Sequence, residues 1–185
     1  MMIKVDSNLW QYLSPQQRVL AQDGEFLLKV SLIHPDEEPT DYSYLVFPFA
    51  KMYEGYLKQL LLDINLISER DYYSEKFRIG RALSPNFHRR SRHSVYKKIE
   101  EKYGKGLATR LWHTWKEGRN LVFHYFPHNL RALSRSQAEI LITQIVETMA
   151  DAVTICKVKP TKRDLSDFYF VGKSPKKWRR DRRKR

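Results

Sequence analysis

A single cysteine, Cys156, leaves this sequence without an internal disulfide or a paired-cysteine zinc site, which fits a reducing cytoplasm. No apolar run approaches the length of a transmembrane helix. None follows a basic start either, so residues 1–10 do not read as a signal peptide, and a soluble, intracellular protein is expected. There is no glycine-rich phosphate loop, so nucleotide hydrolysis has no support. The sequence has no HExxH, no clustered carboxylate set and no Cys/His ligand spacing. His88 and His93 stand five residues apart in a basic stretch where neighbouring charge opposes a cation. Neither a metal nor a cofactor is expected.

What the sequence has instead is positive charge. The 34 Lys and Arg against 21 Asp and Glu give a net charge of +13, on 185 residues that are 42% hydrophobic. That apolar content is globular, not disordered. The charge is uneven: residues 173–185 hold nine Lys or Arg and one Asp, a net of +8, leaving +5 for the preceding 172 residues. A basic body with a more basic tail suits a polyanion. A membrane surface is the weaker partner, because the tail has no apolar face to insert. One domain is expected over residues 1–160, followed by a basic, flexible C-terminal extension over residues 161–185.

The periodicity predicts an all-α fold with four main helices. Ser14, Pro15 and Gln17 read as N-cap, first helical residue and reciprocal capping partner of a helix running to about His34, weakened by Gly24. A second helix over residues 42–67 carries Leu45, Phe49, Met52, Tyr53, Tyr56, Leu57, Leu60 and Ile64 at three- and four-residue steps, with Pro48 starting or kinking it. Residues 68–104 read as an irregular basic insertion, with a short helix over residues 94–103. A third helix begins near Gly106 and ends at Pro127, its core stripe being Leu107, Leu111, Trp115, Gly118, Val122 and Tyr125. The fourth follows Ser134, with Gln137 as capping partner and Ala138, Leu141, Ile145, Met149, Ala152 and Cys156 facing the core. Four such helices make a bundle. Beyond Pro160 the pattern fades, and residues 167–171 read as a short docking strand or an extended segment.

The third helix contains Arg119-Asn120-Leu121-Val122-Phe123-His124. A guanidinium and an imidazole suffice to cleave RNA without metal. Histidine moves a proton near neutrality, and arginine grips a phosphate through two parallel hydrogen bonds. The spacing alone is weak, since Arg81 and His88 nearly repeat it across Pro85. Along an α-helix a five-residue step turns about 500°, so Arg119 and His124 point about 140° apart. Two copies of the helix in a symmetric dimer assemble one groove more readily than a single copy does. His113, Glu117, Asn120 and His124 fall on one polar stripe, the expected groove wall.

The Arg-polar-x3-His motif near the end of the third helix, ahead of a capped final helix, resembles the HEPN superfamily, whose ribonucleases carry it on a four-helix bundle. Residues 41–58, Asp-Tyr-Ser-Tyr-Leu-Val-Phe-Pro-Phe-Ala-Lys-Met-Tyr-Glu-Gly-Tyr-Leu-Lys, are similar to the corresponding helix of the RNase LS family of phage-defence toxins. The likeness covers the C-terminal HEPN part of such toxins, which also engages their inhibitor. It implies a HEPN-like four-helix bundle with a variable basic insertion between its second and third helices. It also implies a homodimeric RNA endonuclease controlled by a protein antitoxin, working by 2′-hydroxyl transesterification that leaves a 2′,3′-cyclic phosphate and a 5′-hydroxyl.

On this reading His124 is general base or acid, and Arg119 holds the scissile phosphate and stabilises its developing charge. Asn120 orients His124 or bonds RNA. The resemblance adds Glu54 to the site, ordering Arg119. Each has a plainer alternative: a helix-end histidine against the dipole, a structural ion pair of Arg119 with Glu54 or Glu117, a solvated Asn120, and an i,i+4 pair of Glu54 with Lys58. Phosphate contacts are assigned to Lys58, to Arg89, Arg90 and Arg92, and to Lys176, Lys177, Arg179 and Arg180 in the tail, where Trp178 suits nucleic acid. Tyr72, Tyr73 and Phe87 are more readily core anchors than stacking platforms. Trp112 and Trp115 read as core or dimer interface. Two rival functions stand beside the nuclease: a non-catalytic RNA-binding module, and an interaction subunit of a defence complex whose motif face docks a protein.

Overall fold

The centre of the molecule is a helix buried over most of its circumference. The computed structural model describes residues 2–33, 39–87, 94–124 and 132–159, and among these the regular structure is entirely helical. In chain order the helices are α1 (Asn8–Tyr12), α2 (Pro15–Val30), α3 (Ser43–Asp63), α4 (Glu69–Tyr72), α5 (Ile79–Leu83), α6 (Val95–Tyr103), α7 (Lys105–Trp115) and α8 (Arg135–Cys156). A π-helical turn, Lys116–Asn120, follows α7. Helix α3 packs against α2, α8, α7, α5, α4 and the π turn. It therefore buries Leu45, Val46, Phe49, Met52, Tyr53, Tyr56, Leu57, Leu60 and Leu61, as a helix apolar nearly all round must.

Two tyrosines on α3 bury their rings completely and still satisfy their hydroxyls. Tyr53 donates to the Leu111 carbonyl of α7 at 3.1 Å, and Tyr56 to the Met149 carbonyl of α8 at 2.9 Å. Each hydroxyl gives a helix carbonyl a second hydrogen bond, so burial of a polar group is compensated. Burial pushes both phenols well above their ordinary range. Between α7 and α8, the Thr114 and Thr148 hydroxyls meet at 2.9 Å, and Arg110 pairs with Asp151.

The two predicted capping boxes form, at Ser14/Gln17 and Ser134/Gln137. Helix α2 ends at Val30, short of His34. Its last carbonyls are taken by Arg135, whose guanidinium donates to Ser31 O and Leu28 O at 3.1 and 3.3 Å, a cation at the negative end of the helix. Gly24 is a contact point: a β-carbon there would lie 2.3 Å from the Phe49 ring. Helix α3 stops at Asp63, before the predicted residue 67, and Pro48 lies inside it.

The stretch from residue 68 to 104 is more ordered than its composition suggests. Its described part forms α4, α5 and α6, which bury Ile79, Leu83, Val95, Tyr96 and Ile99. Helix α1 was not visible in the periodicity, five residues being too short to show one. Ser7 caps it, and Leu9, Trp10 and Tyr12 are buried. Leu141 and Cys156 of α8 are half-buried, while Ile142 between the predicted positions is fully buried. The strand considered at residues 167–171 and the tail lie outside the described residues.

Asp41 joins the start of α3 to the start of α8. Its Oδ1 accepts from the backbone N–H of Ser43 at 2.8 Å and of Leu133 at 3.0 Å. The N–H of Tyr42 returns a bond to Leu133 O at 2.9 Å. Burial pushes the Asp41 carboxyl up, but the bonds from Leu133 and Ser43 outweigh it and hold the group below its ordinary value. This clamp brings the chain that leaves residue 124 back to the N-terminal end of α3.

Candidate active site

The motif does not ride on a continuous α-helix. The Leu121 N–H donates to Lys116 O at 2.9 Å, an i→i+5 bond, so the chain widens into one π turn directly after Trp115. Such turns are rare and frequent at functional sites. Gly118 lies at its centre, buried against α8, where a β-carbon would fall 2.9 Å from Ile145 Cδ1. Regular helix ends at Asn120, and His124 stands beyond it. Two sequence expectations are thereby corrected. The third helix does not extend to Pro127. The 140° divergence, calculated for an unbroken α-helix, does not describe these residues, and the dimer loses that geometric argument.

Within the π turn, Arg119 reaches back to α3. Its Nε donates to Glu54 Oε2 at 3.2 Å, with side chains 38% and 36% exposed. Its guanidinium carbon lies 5.8 Å from the centre of the Trp115 ring, within cation–π range. Trp115 is itself stacked on Trp112, ring centres 5.7 Å apart. Glu54 thus pairs with Arg119 across 65 residues of sequence, and no Glu54–Lys58 ion pair forms. Only Nε is engaged. The two terminal nitrogens of Arg119 have no hydrogen-bond partner among the described residues, which leaves the fork that would grip a phosphate.

Asn120, next in sequence, holds the histidine. His124 Nε2 and Asn120 Oδ1 are 3.1 Å apart. One ring nitrogen is thus held by Asn120, and the donor and acceptor roles in that bond follow the ring's tautomer. The wider polar stripe divides in two. His113 Nδ1 lies 4.0 Å from Glu117 Oε1, and Glu117 accepts from Gln144 of α8 at 3.3 Å.

Sequence reasoning missed the aromatic neighbours. Phe47 on α3 and Phe123, one residue before the histidine, meet edge to face with ring centres 5.7 Å apart. Both are exposed. The available signal was the outward stripe of α3: Tyr44, Phe47, Lys51, Glu54 and Lys58 recur at three- and four-residue steps, all exposed or half-buried on a helix otherwise buried. Lys58 stands on that stripe one turn beyond Glu54. Tyr72 and Tyr73 pack on one another at α4, and Arg81 lies over Phe87. Arg89, Arg90, Arg92, Lys176, Lys177, Trp178, Arg179 and Arg180 lie outside the described residues.

Among the described residues, no three His, Cys, Asp or Glu side chains are grouped to hold a metal ion, and no helix is long and apolar enough to cross a membrane. No family model, curated protein or solved structure matches the chain.

Proposed function

We propose that this chain is a metal-independent RNA endonuclease with a HEPN-like bundle, the toxin of a toxin–antitoxin or phage-defence system acting in the cytoplasm. One observation carries the reading: Arg119 is hydrogen-bonded through Nε with its terminal nitrogens unpaired among the described residues, and the next residue, Asn120, holds His124. A cation with a spare fork and a held imidazole thus come from one six-residue segment. The basic body and the resemblance of residues 41–58 and 119–124 support it.

The chemistry follows from the residues. His124 takes the proton of a ribose 2′-hydroxyl. The 2′-oxygen attacks the adjacent phosphorus, and Arg119 stabilises the charge that builds on the non-bridging oxygens. The bond to the 5′-oxygen breaks and that oxygen is protonated, giving a 2′,3′-cyclic phosphate and a 5′-hydroxyl. In the homodimer that the resemblance implies, the second copy's His124 supplies this proton. Glu54 orients Arg119, and Lys58 adds attraction for the backbone.

The test is cleavage of total RNA by purified protein, with chemical typing of the ends. Wild type should generate cyclic phosphates in the presence of EDTA, and His124→Ala and Arg119→Ala should each lose most of the rate. Unchanged cleavage by both variants, or complete dependence on magnesium, would remove the assignment. The Glu54–Arg119 pair also favours a second reading, a non-catalytic RNA-binding module in which that pair is structural. RNA binding without any cleavage would select it.

A further inference from the structure

The exposed stripe of α3 ends in an aromatic notch beside the candidate site, and nothing in the chemistry above uses it. Phe47 is 53% exposed on a helix whose other apolar residues are nearly all buried, and Phe123, beyond the π turn, is 37% exposed. Their rings stand at 86° to one another. The edge of one ring rests against the face of the other, and both rings stay partly open to solvent. Phe123 is joined directly to His124. Phe47 is seven residues from Glu54 on the same face of α3, about 10 Å along the axis. Lys51 lies between them, exposed and without a carboxylate partner among the described residues. Read along α3, the order is aromatic corner, free cation, then the Glu54–Arg119 pair.

That order matches the parts of one extended nucleic-acid strand. We propose that Phe47 and Phe123 form a stacking subsite for an unpaired nucleobase of single-stranded RNA, next to the nucleotide whose phosphate Arg119 holds, with Lys51 bonding the phosphate between them. The proposal rests on the ribonuclease reading for its placement, and it narrows the substrate class to unpaired RNA. A duplex keeps its bases stacked on each other and cannot offer one to the corner. Aromatic stacking tolerates any base, so the subsite selects for strandedness and not for sequence. A protein face docking here is the competing occupant.

The experiment uses a 2′-O-methyl oligoribonucleotide alternating uracil and 2-aminopurine, which cannot undergo 2′-hydroxyl attack and whose emission is quenched on stacking. Wild type should bind and quench it. The Phe47→Leu/Phe123→Leu protein should bind about tenfold or more weakly and quench little, while Phe47→Trp keeps both. In cleavage, the leucine pair should raise KM more than it lowers kcat. Equal quenching and affinity in wild type and the leucine pair overturns the proposal, as does equal cleavage of single-stranded and duplex RNA. A leucine pair that sediments at lower mass yet binds RNA as wild type does assigns the corner to a protein interface and also overturns it. Wild type that quenches but never cleaves keeps the stacking subsite and removes the ribonuclease reading.

Discussion

Helix α3 has two faces that differ in what their residues are for. The inward face carries Phe49, Tyr53 and Tyr56, each fully buried, with both tyrosine hydroxyls bonded to carbonyls of other helices. The outward face carries Tyr44, Phe47, Lys51, Glu54 and Lys58, and its Glu54–Arg119 ion pair is more than a third exposed on both sides. Buried packing sets stability because each side chain withdraws a large apolar area from water. An exposed pair contributes about 1 kcal/mol or less. The outward residues are therefore cheap to change for the fold, and any cost of changing them is read in activity.

Four substitutions break or sharpen that contrast. The largest effect on activity is expected from His124→Ala, which should lower kcat by about 10²–10⁴ while the melting temperature stays within a degree or two. A comparable loss of thermal stability would place His124 among the structural residues. On the inward face, Phe49→Ala should cost about 3–5 kcal/mol in denaturant unfolding, with the specific activity of the remaining folded protein unchanged. Glu54→Gln lies on the boundary: it keeps the shape and removes the charge that anchors Arg119. Unfolding free energy should shift by about 1 kcal/mol at most, whereas cleavage should fall clearly, because Arg119 loses its orientation. A stability loss without a rate loss would show that the pair serves the fold.

The smallest effect concerns pH. Asp41 has a carboxyl held below its ordinary value in the folded state, so the unfolded chain takes up the proton first as pH falls. Its contribution is present above the unfolded value, near pH 4, and is lost as pH falls through the folded value. Asp41→Asn should therefore lose less stability than wild type between neutrality and the acid range. Parallel unfolding curves for the two proteins across that range would contradict the hydrogen-bond assignment.

How much of this was readable in the sequence depended on range. Both capping boxes form because their partners are three residues apart, and the α3 core stripe was legible because eight apolar positions repeat at helical steps. The π turn was not legible. Lys116 to Asn120 has no local mark separating it from ordinary helix, and its close packing involves Ile145, far along the chain. The same distance hid the choice between Glu54 and Glu117 as the partner of Arg119. The short helices α1, α4 and α5 span too few residues to show a period, although α1 and α5 supply core residues.

The Asp41 clamp bears on how this molecule can be altered. Leu133 is tied to Asp41 and Tyr42 on one side of the intervening chain, and His124 is tied to Asn120 on the other. Both ends of that connection are fixed by contacts that do not depend on its length. The clamp couples two helix starts far apart in sequence, so a change at Asp41 is felt at the first turn of α8 as well as at that of α3.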